Sequence, residues 1–233
     1  VASRSRPAAI ASCSAALIGP DLILTAGHCR TELTTIPSGS FTLDYETDAA
    51  GNRIPGYNPK FYKLKRGIKT GYASASTGGD LQPTGGGLDY AIIQIATPPG
   101  GVGVSPLPIR ADLPAVGDEV FLIHHPRGAT KKVSKKPADP NCSVQILANN
   151  KIYFGGDVDN GSSGSPLFDM MGRIIGVAIT AGGCPAGTGV NATGISATAA
   201  AAILIDMASG PPPATDVDVV LVFDKSGSMT LPG

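Results

Sequence analysis

Residues 15–26 read AALIGPDLILTA, two apolar runs on either side of Gly19-Pro20-Asp21. Gly, Pro and Asp are the residues that tight turns favour, so this stretch predicts a β-hairpin. Gly27-His28-Cys29 follows directly and places a titratable side chain at the end of the second strand. The hairpin therefore predicts a β-rich fold with a histidine at a strand end.

Short apolar or alternating runs recur along the rest of the chain between Gly, Pro and polar residues. Only residues 198–207, TAAAAILIDM, read as a helix, because Ala has the highest helix propensity and Gly210-Pro211 follows. Short strands with one late helix predict an all-β fold in two halves, divided at residues 98–108. The candidate strands are 61–68, 90–95, 120–123, 144–147, 151–154, 165–168 and 173–179.

The composition excludes several classes of protein. The 18 basic and 18 acidic residues balance, so the chain has no net field for a nucleic-acid backbone. The 31 glycines and 20 prolines indicate frequent turns and disfavour long helices. No apolar run reaches the 18 or so residues of a membrane span. Because the chain starts at Val1 without an apolar leader, we expect a mature product or a fragment.

Three segments carry the residue types that nucleophilic catalysis requires. His28 ends the first, Asp89 precedes the apolar run 90–95, and residues 160–166 read NGSSGSP. Each alone is typical of ordinary structure: a strand-end histidine, a capping acid, a turn. The order His, Asp, Ser is one of the known triad orders. An α/β-hydrolase elbow is excluded because Ser165 stands where G-x-S-x-G requires glycine.

Residues 25–29 (TAGHC), 89–93 (DYAII) and 161–166 (GSSGSP) resemble the histidine, aspartate and serine motifs of chymotrypsin-fold (trypsin-like) serine proteases. The Gly-Ser-Pro ending and Ile123-His124-His125-Pro126 are similar to secreted bacterial glutamyl and lysyl endopeptidases. The resemblance covers about residues 8–208. It implies two six-stranded antiparallel Greek-key barrels, about 8–100 and 101–197, and a C-terminal helix, about 198–208, within a protease domain of residues 1–210.

The resemblance also assigns roles to single residues. Ser163 is the expected nucleophile, His28 its general base, and Asp89 the acid that orients His28. The backbone N–H groups of Gly161 and Ser163 are expected to form the oxyanion hole. Other candidates are weaker, because Asp44, Asp48 and Asp80 do not lead into an apolar strand. His124 and His125 follow Asp89, which breaks the family order, and a structural role is expected for both.

Four cysteines in a loop-rich chain indicate an exported protein with two disulfides, and the residues alone leave three pairings open. The resemblance implies a bridge between Cys13 and Cys29 that closes the histidine loop. Cys142 and Cys184 then remain for each other, and their bridge is expected to brace the specificity pocket.

The same resemblance gives candidates for the specificity pocket. Asp157, six residues before Ser163, stands where trypsin has an acidic pocket floor and would favour Lys or Arg, although it also fits an acidic turn. Neutral Asn191 stands near the position of the charge-reading acid of lysyl endopeptidases. Ser162 replaces the acid that pairs with a new N-terminus in digestive members, so we expect that activation switch to be absent. The expected pocket wall is Thr180, Ala181 and Gly182.

The C-terminal tail predicts a different unit. After a Pro-rich linker at 211–215, residues 216–233 resemble the truncated first strand of a von Willebrand factor A domain. Its Asp-x-Ser-x-Ser motif would supply Asp224, Ser226 and Ser228 to Mg²⁺ in a complete domain. We expect no tight metal site here, and a strand without partners that is disordered or docked on an accidental edge. Truncation after Gly210 is expected to leave hydrolysis unchanged.

Together these observations predict a bacterial serine endopeptidase, secreted or at the cell surface, that cleaves protein or peptide substrates through an acyl-enzyme. Proteolysis is expected to need no cofactor. The protein is expected to be a monomer without nucleic-acid partners or a membrane span. The alternatives are a catalytically inactive binding module of the same fold and an adhesin component linked to a von Willebrand A domain.

Overall fold

A computed structural model describes residues 11–29, 40–43, 45–48, 50–52, 60–70, 89–96, 105–110, 112–135, 142–148, 151–179, 191–193 and 219–223. The predicted helix at 198–208 lies outside these residues, as do the linker and the predicted metal ligands Asp224, Ser226 and Ser228. The described elements are β1 Ala11–Gly19, β2 Leu22–Thr25, β3 Ser40–Thr42, β4 Phe61–Thr70, β5 Ala91–Ile95, β6 Val120–His124, a 3₁₀ turn Pro126–Gly128, β7 Lys132–Ser134, β8 Val144–Ala148, β9 Lys151–Phe154, β10 Pro166–Asp169, β11 Ile174–Val177, β12 Asn191–Thr193 and β13 Val219–Phe223.

The first half is a closed six-stranded barrel with the strand order β1-β13-β3-β4-β5-β2. The predicted hairpin forms its beginning, since β1 pairs with β2 across the Gly-Pro-Asp turn. β2 then pairs with β5, and β5 with β4, all antiparallel. Apolar side chains from these strands, including Leu17, Ile23, Phe41 and Ile93, fill the barrel interior.

The sixth strand of this barrel is not the one expected from the sequence. β13, in the tail, pairs with β1 on one side and with β3 on the other, both antiparallel. Of the two alternatives expected for this strand, docking on strand edges agrees with the pairing, whereas disorder does not. Its run of apolar, β-branched residues suits a strand with a neighbour on each side, and without it β1 and β3 would have bare edges. The domain boundary at 210 and the von Willebrand A assignment stay predictions.

In the second half, the described residues form two antiparallel sheets. One has the order β11-β10-β6-β7, and the other has the order β12-β9-β8. Leu122, Val144, Ile152, Phe154 and Leu167 make a separate apolar cluster between them. The predicted all-β, chymotrypsin-like class with two halves is confirmed.

The part of the chain that the structure describes contains no helix long and apolar enough to cross a membrane.

Candidate active site

His28 and Asp89 form a closely bonded pair at one end of the first barrel. Nδ1 of the imidazole lies 2.7 Å from Oδ2 of the carboxylate, and the backbone N–H of His28 donates to Oδ1 at 2.8 Å. The Asp89 side chain is 2% exposed, whereas that of His28 is 28% exposed. A buried carboxylate requires such partners, and here both of its oxygens accept from the same residue.

The strand register explains why two residues 61 positions apart meet. β2 and β5 are antiparallel, and Thr25 at the end of β2 pairs with Ala91 at the start of β5. The chain leaving β2 therefore runs past the chain entering β5, which places His28 beside Asp89. The apolar residues of both strands fix this register, because a slip by one residue would turn their side chains out of the core.

The pairing also fixes the chemistry of the imidazole. An ionised carboxylate can only accept hydrogen bonds, so Nδ1 carries the proton and the lone pair of a neutral ring lies on Nε2. That lone pair is on the side of the ring away from Asp89. A histidine held in this way can accept a proton and is stabilised when it becomes charged.

The serine loop, residues 160–166, is anchored to the first barrel. Ser14 of β1 donates from its N–H to the carbonyl of Ser163 at 2.7 Å, and from Oγ to the carbonyl of Gly161 at 2.8 Å. The N–H of Gly164 donates to the carbonyl of Ala178 at 2.7 Å. The loop is thus held between the strand that starts the first barrel and the end of β11.

Two glycines let the serine loop adopt its path. Gly161 and Gly164 both have a φ of +86°, which side chains disfavour. A Cβ on Gly164 would overlap the carbonyl oxygen of Ser14 and Oγ1 of Thr25. Because Thr25 is only three residues before His28, this close approach brings the loop that carries Ser163 against the strand that leads to the histidine.

A buried hydrogen-bond chain lies beneath the serine loop. Ser162 is fully buried, and its Oγ lies 2.8 Å from Nδ1 of His124. Nε2 of His124 lies 3.4 Å from Oγ of Ser134, which donates to the carbonyl of Asp157 at 2.9 Å. Burial lowers the pKa of His124 to about 4, although Asp157 and Asp159 oppose the shift. A structural role for His124 was expected from the sequence, but its link to Ser162 was not.

The weaker candidates for the catalytic acid and base do not form a comparable pair where the structure describes them. Asp48 is on an exposed turn, where its carboxylate accepts from the N–H groups of Ala50 and Asn52. His125 is buried in the second half, with Nδ1 3.0 Å from the carbonyl of Ala129. Asp44 and Asp80 lie outside the described residues.

The predicted pocket is described only in part. The side chain of Asp157 is exposed, at the start of the segment that leads to the serine loop. Thr180, Ala181 and Gly182 lie outside the described residues. Cys142 is buried near Gly156, and its predicted partner Cys184 also lies outside them.

The cysteines beside His28 are joined as the resemblance implied. Cys13 and Cys29 form a disulfide, with their Cα atoms 6.1 Å apart. Both sulfurs lie near the ring of His28, but a disulfide sulfur is not a thiolate and does not suit a metal ion. The bridge fastens the turn that follows β2, and with it the backbone of His28, to β1.

Solved structures share this architecture at low sequence identity. A double mutant of human heparin binding protein matches with a TM-score of 0.61 and 18% identity, covering 88% of this chain and 89% of that one. Mouse neuropsin, a serine protease expressed in the limbic system of the brain, matches with a TM-score of 0.58 and 18% identity, covering 84% and 89%. At these identities the likeness shows the fold alone.

Sequence comparison gives one curated relative and one family. The uncharacterized protein y4fB of Sinorhizobium fredii is 28% identical over 175 residues, which are 68% of this chain and 24% of that protein. This chain therefore spans about a quarter of the length of its relative. The family model of the trypsin-like peptidase domain matches residues 13–177, which include most of β1, the His28–Asp89 pair and the serine loop. The chain belongs to the trypsin-like peptidase domain family.

Proposed function

We propose that this protein is a serine endopeptidase with the triad His28, Asp89 and Ser163. The observation that supports the proposal most strongly is the pair of hydrogen bonds between His28 and the buried Asp89. The close packing of Gly164 on Thr25 supports it, because it holds the serine loop against the histidine strand.

The proposed reaction uses these side chains in two half-reactions. Oγ of Ser163 attacks the carbonyl carbon of the scissile peptide while Nε2 of His28 takes its proton. The N–H groups of Gly161 and Ser163 stabilise the oxyanion that forms. His28 returns the proton to the leaving amine, which gives an acyl-enzyme. Water, deprotonated by His28, then attacks the ester and releases the acid and the free serine. Asp89 keeps the ring in the required tautomer and stabilises its charged form.

A fluorophosphonate probe tests the nucleophile. We expect covalent labelling of Ser163 in the parent, none in Ser163→Ala, and unaltered labelling in the matched control Ser143→Ala. Peptide turnover should fall by about 10⁶ in Ser163→Ala while the fold is kept. A parent that is neither labelled nor active would instead identify the domain as a binding module of the same fold, or a component of an adhesin.

The proposal extends to a preference for basic side chains at the cleavage site. Asp157 offers an exposed carboxylate six residues before Ser163, and Thr180, Ala181 and Gly182 are its expected neighbours in the pocket. Asp157→Asn should reduce cleavage after Lys and Arg by about 10-fold or more, since a charge-assisted contact is lost. Cleavage after small apolar residues should remain. A parent without basic preference in a peptide library would contradict the role of Asp157.

The remaining parts of the proposal concern the protein's setting. The Cys13–Cys29 bridge favours an oxidising compartment, so we propose secretion or display by a bacterium, as in the glutamyl and lysyl endopeptidases. A second bridge between Cys142 and Cys184 belongs to the same proposal. The balanced charge disfavours nucleic-acid partners, and we propose a monomer. Residues 216–233, whose strand β13 pairs with the first barrel in this structure, are proposed to form the first strand of a von Willebrand A domain when the rest of that domain is present, and only there would Asp224, Ser226 and Ser228 bind Mg²⁺.

A further inference from the structure

We propose that His124 is a positioning residue for the oxyanion hole, which it holds through the side chain of Ser162. The inference rests on the proposed function, in which Gly161 and Ser163 supply the two N–H donors. Ser162 stands between them and is fully buried, with Oγ 2.8 Å from Nδ1 of His124. His124 itself is 3% exposed, at the end of β6.

The neighbours of His124 determine where each proton lies. Oγ of Ser134 donates to the carbonyl of Asp157, so it can only accept from Nε2 of the histidine, across 3.4 Å. With its proton on Nε2, a neutral ring accepts at Nδ1, and the hydroxyl of Ser162 donates to it. Oγ of Ser162 in turn accepts from the N–H of Asp159 at 3.3 Å. The hydroxyl protons of Ser162 and Ser134 and the ring proton of His124 therefore all take part in hydrogen bonds, as a buried polar network requires.

The protonation state of the ring fits this arrangement. Since burial lowers the pKa of His124 to about 4, the ring is neutral at neutral pH. A neutral ring leaves Nδ1 as the acceptor that the Ser162 hydroxyl needs. A charged ring would donate from both nitrogens and leave that hydroxyl proton without its acceptor.

The two N–H groups of the proposed oxyanion hole point in directions set by the carbonyls of the same peptide groups. The N–H of Gly161 shares a planar trans peptide with the carbonyl of Asn160, which accepts from the N–H of Arg127 at 2.5 Å. The N–H of Ser163 shares its peptide with the carbonyl of Ser162, which accepts from the N–H of Ser165 at 3.0 Å. Fixing each carbonyl therefore aims the opposite N–H.

Two contacts to the serine loop come from one segment, residues 124–128, which we call the platform. His124 holds the side chain of Ser162, and Arg127, in the 3₁₀ turn that follows, holds the carbonyl of Asn160. Arg127 has a φ of +53°, uncommon for a residue with a side chain, and its guanidinium pairs with Asp159 at 2.5 Å. A Cβ on Gly161 would lie 2.9 Å from the carbonyl oxygen of His125, so the serine loop rests directly on the platform.

Two substitutions of His124 separate positioning from mere packing. The amide of Asn reaches the position of Nδ1 and offers an oxygen to the hydroxyl of Ser162. The amide of Gln reaches the position of Nε2 instead and leaves the hydroxyl proton of Ser162 without its acceptor. We expect His124→Gln to lower kcat by about 10² with little change in KM, as when one oxyanion donor is misplaced. His124→Asn should retain most of the turnover. Affinity for a peptide aldehyde, whose hemiacetal with Ser163 carries the oxyanion, should fall in parallel with kcat.

A double-mutant cycle and a folding control complete the test. Ser162→Ala should lose about as much kcat as His124→Gln, and the double variant no more than either. Thermal unfolding of each variant shows whether it folds. If His124→Gln does not fold, the kcat of Ser162→Ala tests whether the contact with His124 supports turnover. The inference would be overturned if His124→Gln or Ser162→Ala kept the parental kcat, or if only KM rose. It would also be overturned if His124→Asn lost as much kcat as His124→Gln. A parent without turnover or labelling would overturn the proposed function, a different result.

Discussion

At the scale of single residues, the serine loop depends on Gly164 more than on any property of its serines. Gly164 and Gly172 have similar backbone angles, with φ of +86° and +77°. A Cβ on Gly164 would overlap Ser14 and Thr25, whereas a Cβ on Gly172 would meet nothing within 4 Å. The two glycines thus separate the cost of the backbone angle from the cost of the close approach.

Gly172→Ala should lower the free energy of unfolding by about 1 kcal/mol, the usual cost of placing a side chain at such an angle. Gly164→Ala should lower it by about 1–3 kcal/mol more, because either the loop or the histidine strand must move. Denaturant unfolding of both variants measures the difference. Equal losses would mean that the loop does not approach Thr25 as closely as the structure shows.

At the scale of elements, β13 is the strand that closes the first barrel. It pairs with β1 from Ala11 to Ala16 and with β3 from Ser40 to Thr42. Removing it would expose an edge on each of these strands, and β1 carries both Cys13 and the Ser14 contacts to the serine loop. The sequence pattern predicted a dispensable tail, but the pairing gives the opposite expectation.

Truncation after Gly210 should therefore lower the unfolding temperature by several degrees and increase association, since open strand edges pair with other chains. Truncation after Phe223 is the matched control, because it keeps β13 and removes only the residues that follow. Thermal unfolding and light scattering distinguish the two. If both truncated chains behave like the parent, β13 does not contribute to the barrel in solution.

At the scale of the whole molecule, the buried His124 makes stability depend on pH. Its pKa is lowered from 6.5 to about 4 in the folded state. Between these values the unfolded chain binds a proton at this site and the folded chain does not, so the free energy of unfolding falls as the pH falls. The charged groups that face it are Asp157 and Asp159, with Lys132 paired opposite on β7.

We expect this site to remove about 3 kcal/mol of stability as the pH falls from 6.5 to 4. His124→Asn has no such proton to bind. Between pH 6.5 and 4 its free energy of unfolding should therefore fall by about 3 kcal/mol less than that of the parent. Denaturant unfolding at several pH values measures both curves, and the comparison cancels the carboxylates that the two proteins share. Parallel curves would show that His124 does not remain neutral in the folded chain.

Features that depend on a local pattern of residues could be predicted from the amino-acid sequence alone. The turn residues between two apolar runs specified the β1–β2 hairpin, and the candidate strands in both halves appear within a residue or two of their expected ends. The motifs around His28 and Asp89 indicated a pair that the structure brings together. These features were predictable because turn preference and apolar runs act over a few residues, and because motif resemblance needs no coordinates.

Contacts between distant segments, in contrast, became evident only in the folded chain. The apolar run of β13 fits any sheet with two free edges, and nothing in its residues specifies β1 and β3 rather than the strands of a separate domain. The partner of Ser162 was equally invisible, because His124 is 38 residues away and its role depends on the burial that β6 and the serine loop create together. Strand pairing and burial are properties of the assembled barrels, so the platform beneath the serine loop could be recognised only in the folded chain.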